Sequence, residues 1–165
     1  MNVEKMRSAL KTFDCTRIVL WLLIVIGIYL RLKVYFSNQS FWLDECALGI
    51  NINKTTSYLD FFKPLSMWQC APPLFLIVCK VILEISNQAG HLYNQDLMLR
   101  LFPLICSIVS LILFAVYMNK ITQNKLLILT SVAILTFNVA AINYAQEFKQ
   151  YSCEMMFALI LLMIF

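Results

Sequence analysis

Three carboxylates in an otherwise apolar chain are the residues best suited to chemistry. Asp44 and Glu45 are adjacent and directly follow the aromatic pair Phe41-Trp42. Glu147 belongs to a second polar cluster, residues 144–151, which separates two strongly apolar stretches. A carboxylate that is partly desolvated at a membrane surface has a raised pKa, which suits it to accept a proton from a nucleophile.

Each cluster also has a purely structural interpretation. Asp44 and Glu45 could be solvated loop acids, or acids that complement the dipole at the start of a helix. The aromatic pair could belong to an interfacial belt, and residues 144–151 could form a hydrated turn between two helices. Against this stands the general rule that ionisable groups at membrane depth are functional.

Basic and sulfur-containing residues allow fewer interpretations. Arg100 and Lys149 could extend to lipid phosphates or bind an anionic ligand. The six cysteines are scattered without a CxxC pair, and His91 is the single histidine. This spacing disfavours a His/Cys metal site, and we expect free, mostly lipid-facing thiols.

The composition defines the environment in which these residues must be positioned. Of 165 residues, 61% are hydrophobic and 13% are charged. Soluble globular proteins have about 45–50% apolar and about 25% charged residues. We therefore predict an all-α integral membrane protein, which excludes a disordered tail, a nucleic-acid-binding arm and a water-soluble enzyme.

Apolar stretches predict four membrane-spanning helices, at about residues 18–36, 97–118, 126–144 and 152–165. About 20 residues are needed to cross a bilayer, and the last stretch is shorter. We therefore expect a multi-spanning bundle and an N-terminal fragment of a longer protein.

Charge placement predicts the orientation of these helices. The residues before the first stretch carry four basic side chains, Lys5, Arg7, Lys11 and Arg17. This bias favours a cytoplasmic N-terminus and a retained signal-anchor helix.

The stretch at about residues 72–85 decides the topology. It is short, begins with two prolines and carries Lys80 and Glu84 four positions apart, on one face. We predict that it lies in the membrane interface inside a large outer loop, residues 37–96; the alternative is that it crosses. If it does not cross, Asp44, Glu45 and Glu147 share one outer surface.

Four segments, in this order, resemble the N-terminal part of a C-superfamily glycosyltransferase that uses polyprenyl-phosphate-linked sugars. The similarity is greatest to the branch of protein O-mannosyltransferases and lipid A aminoarabinose transferases. The segments are Trp42-Leu43-Asp44-Glu45, Gln69-Cys70-Ala71-Pro72-Pro73-Leu74-Phe75-Leu76, Leu99-Arg100-Leu101-Phe102-Pro103 and Tyr144-Ala145-Gln146-Glu147-Phe148-Lys149-Gln150-Tyr151. Two departures are that the family has more spanning helices and that Lys149 stands where many relatives have Arg.

The resemblance implies transfer of a sugar from a lipid-phosphate donor to an acceptor on the outer face of the membrane. It implies Asp44 as the general base, Glu45 orienting the acceptor or the loop, and Glu147 binding the acceptor or a metal ion. It also implies that residues 72–85 do not cross.

Substrate-binding residues follow from the same resemblance. Arg100, Lys149 and Tyr151 are the candidates for contacts with the donor phosphate and the sugar. The sequence identifies no cofactor with certainty, although a divalent metal is possible, and the acceptor is a glycan, lipid or protein. The expected location is a bacterial inner (plasma) membrane, and we expect the fragment alone to be inactive.

A second function class remains open from sequence. A small non-enzymatic membrane subunit or a transporter component would have the same composition. A transporter predicts polar residues along one helix face at mid-membrane, whereas the strong charges of this chain cluster near the ends of the apolar stretches.

Overall fold

The computed structural model describes residues 3–88 and 94–165, with side chains from residue 15 onward. The described residues are helical and include no strand, which confirms the all-α prediction. The helices are α1 (Val3–Ser37), α2 (Leu43–Lys54), a 3₁₀ helix (Tyr58–Phe62), α3 (Pro73–Gln88), α4 (Gln95–Ile121), α5 (Lys125–Phe137), α6 (Val139–Asn143) and α7 (Tyr151–Ile164).

Two of the described helices are long and apolar enough to cross a membrane. They are the segment Cys15–Ser37 of α1 and the whole of α4, Gln95–Ile121. Helices α5 and α7 are apolar but have only 13 and 14 residues. The four crossings inferred from sequence therefore stay a prediction.

Helix α4 is the centre of the fold, since α1, α3, α5 and α7 all pack against it. Near the C-terminal half of α4, the core is formed by Ile24, Leu111 and Val132 from three helices. At the other end, a larger core joins α2, α3, α4 and α7 and includes Phe148. This second core supports the two polar clusters.

The stretch predicted as one helix over 126–144 is broken at Asn138. Helix α5 ends at Phe137, and α6 begins at Val139. The Asn138 side chain accepts a hydrogen bond from the backbone N–H of Ala141 at 2.8 Å. Asparagine competes with the backbone for such bonds and favours helix starts over helix interiors, which explains the break.

Buried polar side chains donate hydrogen bonds to the backbone carbonyls around this break. The Arg31 guanidinium, with 0% of the residue exposed, donates to Leu135 O at 3.4 Å, Gly27 O at 3.0 Å and Ser107 Oγ at 2.9 Å. Ser107 in turn donates to Ala141 O at 3.3 Å. Carbonyls at a helix end need such partners in an apolar surrounding.

Helix α3 forms where the sequence predicts a helix, and its two charged residues lie on one face as expected, although Lys80 is buried there. Lys80 is only 9% exposed and donates to Ile52 O and Thr55 O at the C-terminal end of α2, where a cation also complements the helix dipole. Glu84 lies 3.5 Å from Lys80 and accepts a hydrogen bond from Tyr58. The position of α3 relative to a membrane stays a prediction.

Three cysteines occupy the core instead of a lipid-facing surface. Cys79, Cys106 and Cys153 are buried, whereas Cys15, Cys46 and Cys70 are exposed. The prediction of mostly lipid-facing thiols was therefore wrong for the first three, because they face neighbouring helices of the bundle.

Candidate functional site

The two polar clusters singled out in the sequence lie in contact. The carboxylate of Glu45 accepts a hydrogen bond from the backbone N–H of Phe148. Beside it, the Nζ of Lys149 lies 2.9 Å from a carboxylate oxygen of Asp44. The two polar clusters are therefore neighbours in the fold, whereas their common position at the outer surface of a membrane stays a prediction.

Glu45 is the residue that holds the clusters together. It occupies the third position of α2 and accepts a hydrogen bond from the Trp42 N–H at 3.0 Å, which closes the start of that helix. The same carboxylate lies 3.2 Å from the Arg100 guanidinium, and both side chains are 2% exposed. A carboxylate enclosed in this way is a structural anchor, since its oxygens are engaged by three neighbours.

Arg100 is buried inside the protein instead of extending to a lipid surface. Besides Glu45, it donates to the Gln39 carbonyl. Its guanidinium lies over the Phe41 ring, 4.5 Å from the ring centroid. Phe41 stacks on Phe148 with 6.1 Å between centroids. Cation–π contact and a buried ion pair together fix the guanidinium in one place.

A polar cleft of about 190 Å³ opens between the two clusters. It is bounded by the chain that follows α1, the start of α2, the N-terminal part of α4 and the turn after α6. Its lining residues are Gln39, Ser40, Trp42, Glu45, Arg100, Asn143, Gln146 and Glu147. Of the six predicted site residues, Glu45, Arg100 and Glu147 line this cleft.

The surroundings of Glu147 favour its protonated form. Partial burial of the side chain is the largest cause that raises the pKa of Glu147 above its ordinary value. The negative charges of Glu45 and Asp44 raise it further, against smaller opposing effects of Arg100 and Lys149. A carboxylate with a raised pKa binds a proton more strongly and removes one from a hydroxyl more readily.

Asp44 has the opposite environment, although the sequence favoured it as the base. Its side chain is 55% exposed, and the hydrogen bond from Lys149 is the largest cause that lowers its pKa. Lys149 also donates to the Gln69 side chain at 3.4 Å. The expected desolvation of Asp44 is therefore wrong, because the carboxylate faces solvent and a cation.

Tyr151 lies apart from the cleft. It is the first residue of α7, is 41% exposed and packs against Tyr144 with 4.8 Å between ring centroids. It is not one of the residues that line the cleft. Of the three predicted substrate-binding residues, only Arg100 therefore lines the cleft.

Three amides of the cleft were not identified as site residues from sequence. Gln39 contributes its side chain to a 3.4 Å hydrogen bond from Gln146, and Asn143 lines the same wall. Gln146 directly precedes Glu147 in the polar cluster, which was the available signal. Gln39 carries no such signal, since it follows α1 as one polar residue among several.

The residues that the structure describes contain no group of three or more His, Cys, Asp or Glu side chains placed to hold a metal ion. His91 lies outside the described residues.

Comparisons with known proteins give no independent assignment. Family models, curated proteins and solved structures were each searched, and none matches this chain.

Proposed function

We propose that the cleft is part of the active site of a membrane glycosyltransferase. The enzyme would transfer a sugar from a polyprenyl-phosphate-linked donor to an acceptor hydroxyl. The proposal rests on one observation: a single cleft contains Glu147, whose pKa is raised, and the buried ion pair of Glu45 and Arg100. The resemblance of four ordered segments to that superfamily supports the same reaction class.

Glu147 acts as the general base in this proposal. It takes the proton of the acceptor hydroxyl while the acceptor oxygen attacks the anomeric carbon of the donor sugar. The bond from that carbon to the lipid phosphate breaks, and the phosphate leaves as an anion. The charges of Arg100 and Lys149 both act on Glu147, and in this proposal the same two cations stabilise that anion.

Asp44 has a positioning role in this proposal. Its ion pair fixes the Lys149 ammonium, which also donates a hydrogen bond to the Gln69 side chain. This assignment replaces the expectation that Asp44 removes the acceptor proton.

The proposed membrane orientation places the cleft at the outer surface. Gln39 follows the end of α1 and Arg100 lies in the second turn of α4, so both are at the same end of the two helices that are long enough to cross. With the basic N-terminus in the cytoplasm of a bacterial cell, this end faces outward. Lipid-linked donor and acceptor would meet there.

Sugar transfer in lipid nanodiscs tests the proposal. The protein is the product of the complete open reading frame that contains these 165 residues, and the probe is a short-chain polyprenyl-phosphate sugar with a radiolabelled sugar. We expect turnover that falls about 10²–10⁴-fold in Glu147→Gln. Glu84→Gln, the same chemical change on α3 outside the cleft, serves as the matched control and retains full turnover.

Two results would overturn the proposal. Full turnover in Glu147→Gln would remove Glu147 from the proton transfer. No turnover by the unmodified protein with any hydroxyl acceptor, together with no binding of the labelled lipid, would favour a non-enzymatic membrane subunit.

A further inference from the structure

Two cysteine thiols meet in the core behind the cleft. The Sγ atoms of Cys106 on α4 and Cys153 on α7 lie 3.1 Å apart. Cys106 is 0% exposed and Cys153 is 4% exposed. The third core thiol, Cys79 on α3, belongs to the same cluster of buried residues. The pair joins positions that are 47 residues apart in sequence.

We propose that Cys106 and Cys153 form a reversible disulfide. A disulfide has an S–S length of about 2.05 Å, so the two sulfur atoms need to approach by only about 1 Å. Helices α4 and α7 pack along one another, which keeps the thiols opposed. This modification site is independent of the proposed transferase chemistry.

The two thiols differ in their access from outside the bundle. Cys153 lines an apolar groove of about 210 Å³ together with Phe75, Phe102 and Phe157. Cys106 does not line this groove, and its sulfur atom lies behind that of Cys153. An oxidant that enters the groove therefore meets Cys153 first.

The oxidant belongs to the class of disulfides, because a thiol–disulfide exchange balances without any other reactant. Cys153 loses its proton and attacks one sulfur of the external disulfide, whose S–S bond breaks and releases one thiol. Cys106 then loses its proton and attacks the Cys153 sulfur of the mixed disulfide, which releases the second thiol. Two electrons and two protons pass from the pair to the oxidant.

The bond would connect α4 to α7 just after the turn that carries Glu147. Cys153 is the third residue of α7, and Phe148 lies in the same core as both thiols. Oxidation would thus fix the segment that supplies the Phe148 N–H to Glu45. Reduction would leave that segment held by noncovalent packing alone.

Exchange with dithiodipyridine in detergent micelles tests this order. The protein carries Cys15→Ser, Cys46→Ser, Cys70→Ser and Cys79→Ala, which leaves only the pair. We expect release of two thiopyridone molecules per chain and an intact mass lower by two hydrogen atoms. Adding Cys106→Ser leaves a stable mixed disulfide on Cys153 and releases one thiopyridone. Adding Cys153→Ser leaves Cys106 unreactive until the protein is denatured.

A measurement on the unmodified chain covers the case in which the substituted protein does not fold. After oxidation, alkylation and proteolysis, mass spectrometry should find the peptides of Cys106 and Cys153 linked to each other. The proposal is overturned if two mixed disulfides persist on the pair, or if Cys106 reacts as fast as Cys153. A link from Cys79 to either thiol instead would overturn it as well.

Discussion

Three acidic residues of one small region acquire different properties from their surroundings. Glu45 is enclosed and bonded to Trp42, Arg100 and Phe148. Asp44 faces solvent and Lys149, whereas the cleft raises the pKa of Glu147. Environments that push the pKa values of neighbouring carboxyl groups apart are typical of sites that divide acid and base roles between them.

The pH dependence of sugar transfer should report the ionisation of Glu147. Activity rises as the base loses its proton, and the pKa of Glu147 is raised above its ordinary value of 4.5. We expect the acid limb of the kcat/KM profile above that pH. An acid limb below pH 4.5 would instead match a carboxyl group whose pKa is lowered, as that of Asp44 is.

Asp44→Asn separates the two candidate bases. The Asp44 charge helps to raise the pKa of Glu147, so its removal should move the acid limb to lower pH while transfer continues. If Asp44 were the base, the same change would lower kcat about 10²–10⁴-fold across the profile. The profile of Glu84→Gln, which should match the unmodified protein, is the control.

Thermal unfolding distinguishes a catalytic role of Glu147 from a structural one. The pKa of Glu147 is higher in the folded protein than its ordinary value, so the protonated carboxyl group stabilises the folded state. This contribution is complete at pH values below the ordinary pKa and is lost as the pH rises through the raised pKa. We expect Glu147→Gln to keep or raise the Tm at pH 7 while activity falls. A lower Tm would indicate that Glu147 stabilises the fold.

Replacing one member of the buried Glu45–Arg100 ion pair should lower the Tm, unlike replacing Glu147. Replacing Glu45 by Gln leaves the Arg100 charge buried with no carboxylate opposite, and such changes cost about 3–5 kcal/mol. We expect a large decrease in Tm for Glu45→Gln and for Arg100→Met. The double variant should recover part of the loss, because no uncompensated charge remains. Additive losses would contradict a direct coupling.

Residue types identified the charged residues of the candidate site but not the role of each one. Asp44, Glu45, Arg100, Glu147 and Lys149 stood out because charged groups are rare in this chain. Which carboxylate is enclosed depends on neighbours distant in sequence, and no local pattern encodes that. The adjacent positions of Asp44 and Glu45 gave no reason to expect that one faces solvent and the other the core.

At the scale of elements, the long apolar helices were predictable, whereas α2 and the break inside one of the apolar stretches were not. Apolar stretches placed α1, α4 and α7 because their lengths and composition suit helices. Asn138 is a single polar residue in a long apolar run, and its effect depends on Arg31 and Ser107 from other helices. Arg31 was not singled out from the sequence, although it is buried at the centre of this network.

Gly27 allows α1 to approach the helices around the break. A Cβ added at this position would collide with Leu111 Cδ2 and lie 3.3 Å from the Arg31 guanidinium. We expect Gly27→Ala to destabilise the protein by about 1–3 kcal/mol, seen as a lower Tm. Gly49→Ala is the matched control, since its Cβ would make ordinary contacts at 3.8 and 3.9 Å inside α2. Equal effects of both substitutions would refute a close approach at Gly27.

At the scale of the whole molecule, the exposed native cysteines test the proposed orientation. Cys46 directly follows Glu45, and Cys70 directly follows Gln69, whose side chain accepts a hydrogen bond from Lys149, whereas Cys15 begins the apolar segment of α1. In intact cells, an impermeant maleimide should label Cys46 and Cys70 but not Cys15. Permeabilised cells, in which Cys15 also reacts, provide the control. Labelling of Cys15 in intact cells would reverse the orientation.

The arrangement around Glu45 also has a consequence for evolutionary change. The carboxylate depends on the guanidinium at position 100, so the two side chains can be exchanged only together, and they should covary among relatives of this chain. Position 148 contributes its hydrogen bond through the backbone, so selection there should act on the aromatic volume that packs against Phe41 and Phe75. Relatives should therefore have other large apolar residues at position 148, whereas the glutamate at position 45 and the arginine at position 100 should be replaced only together.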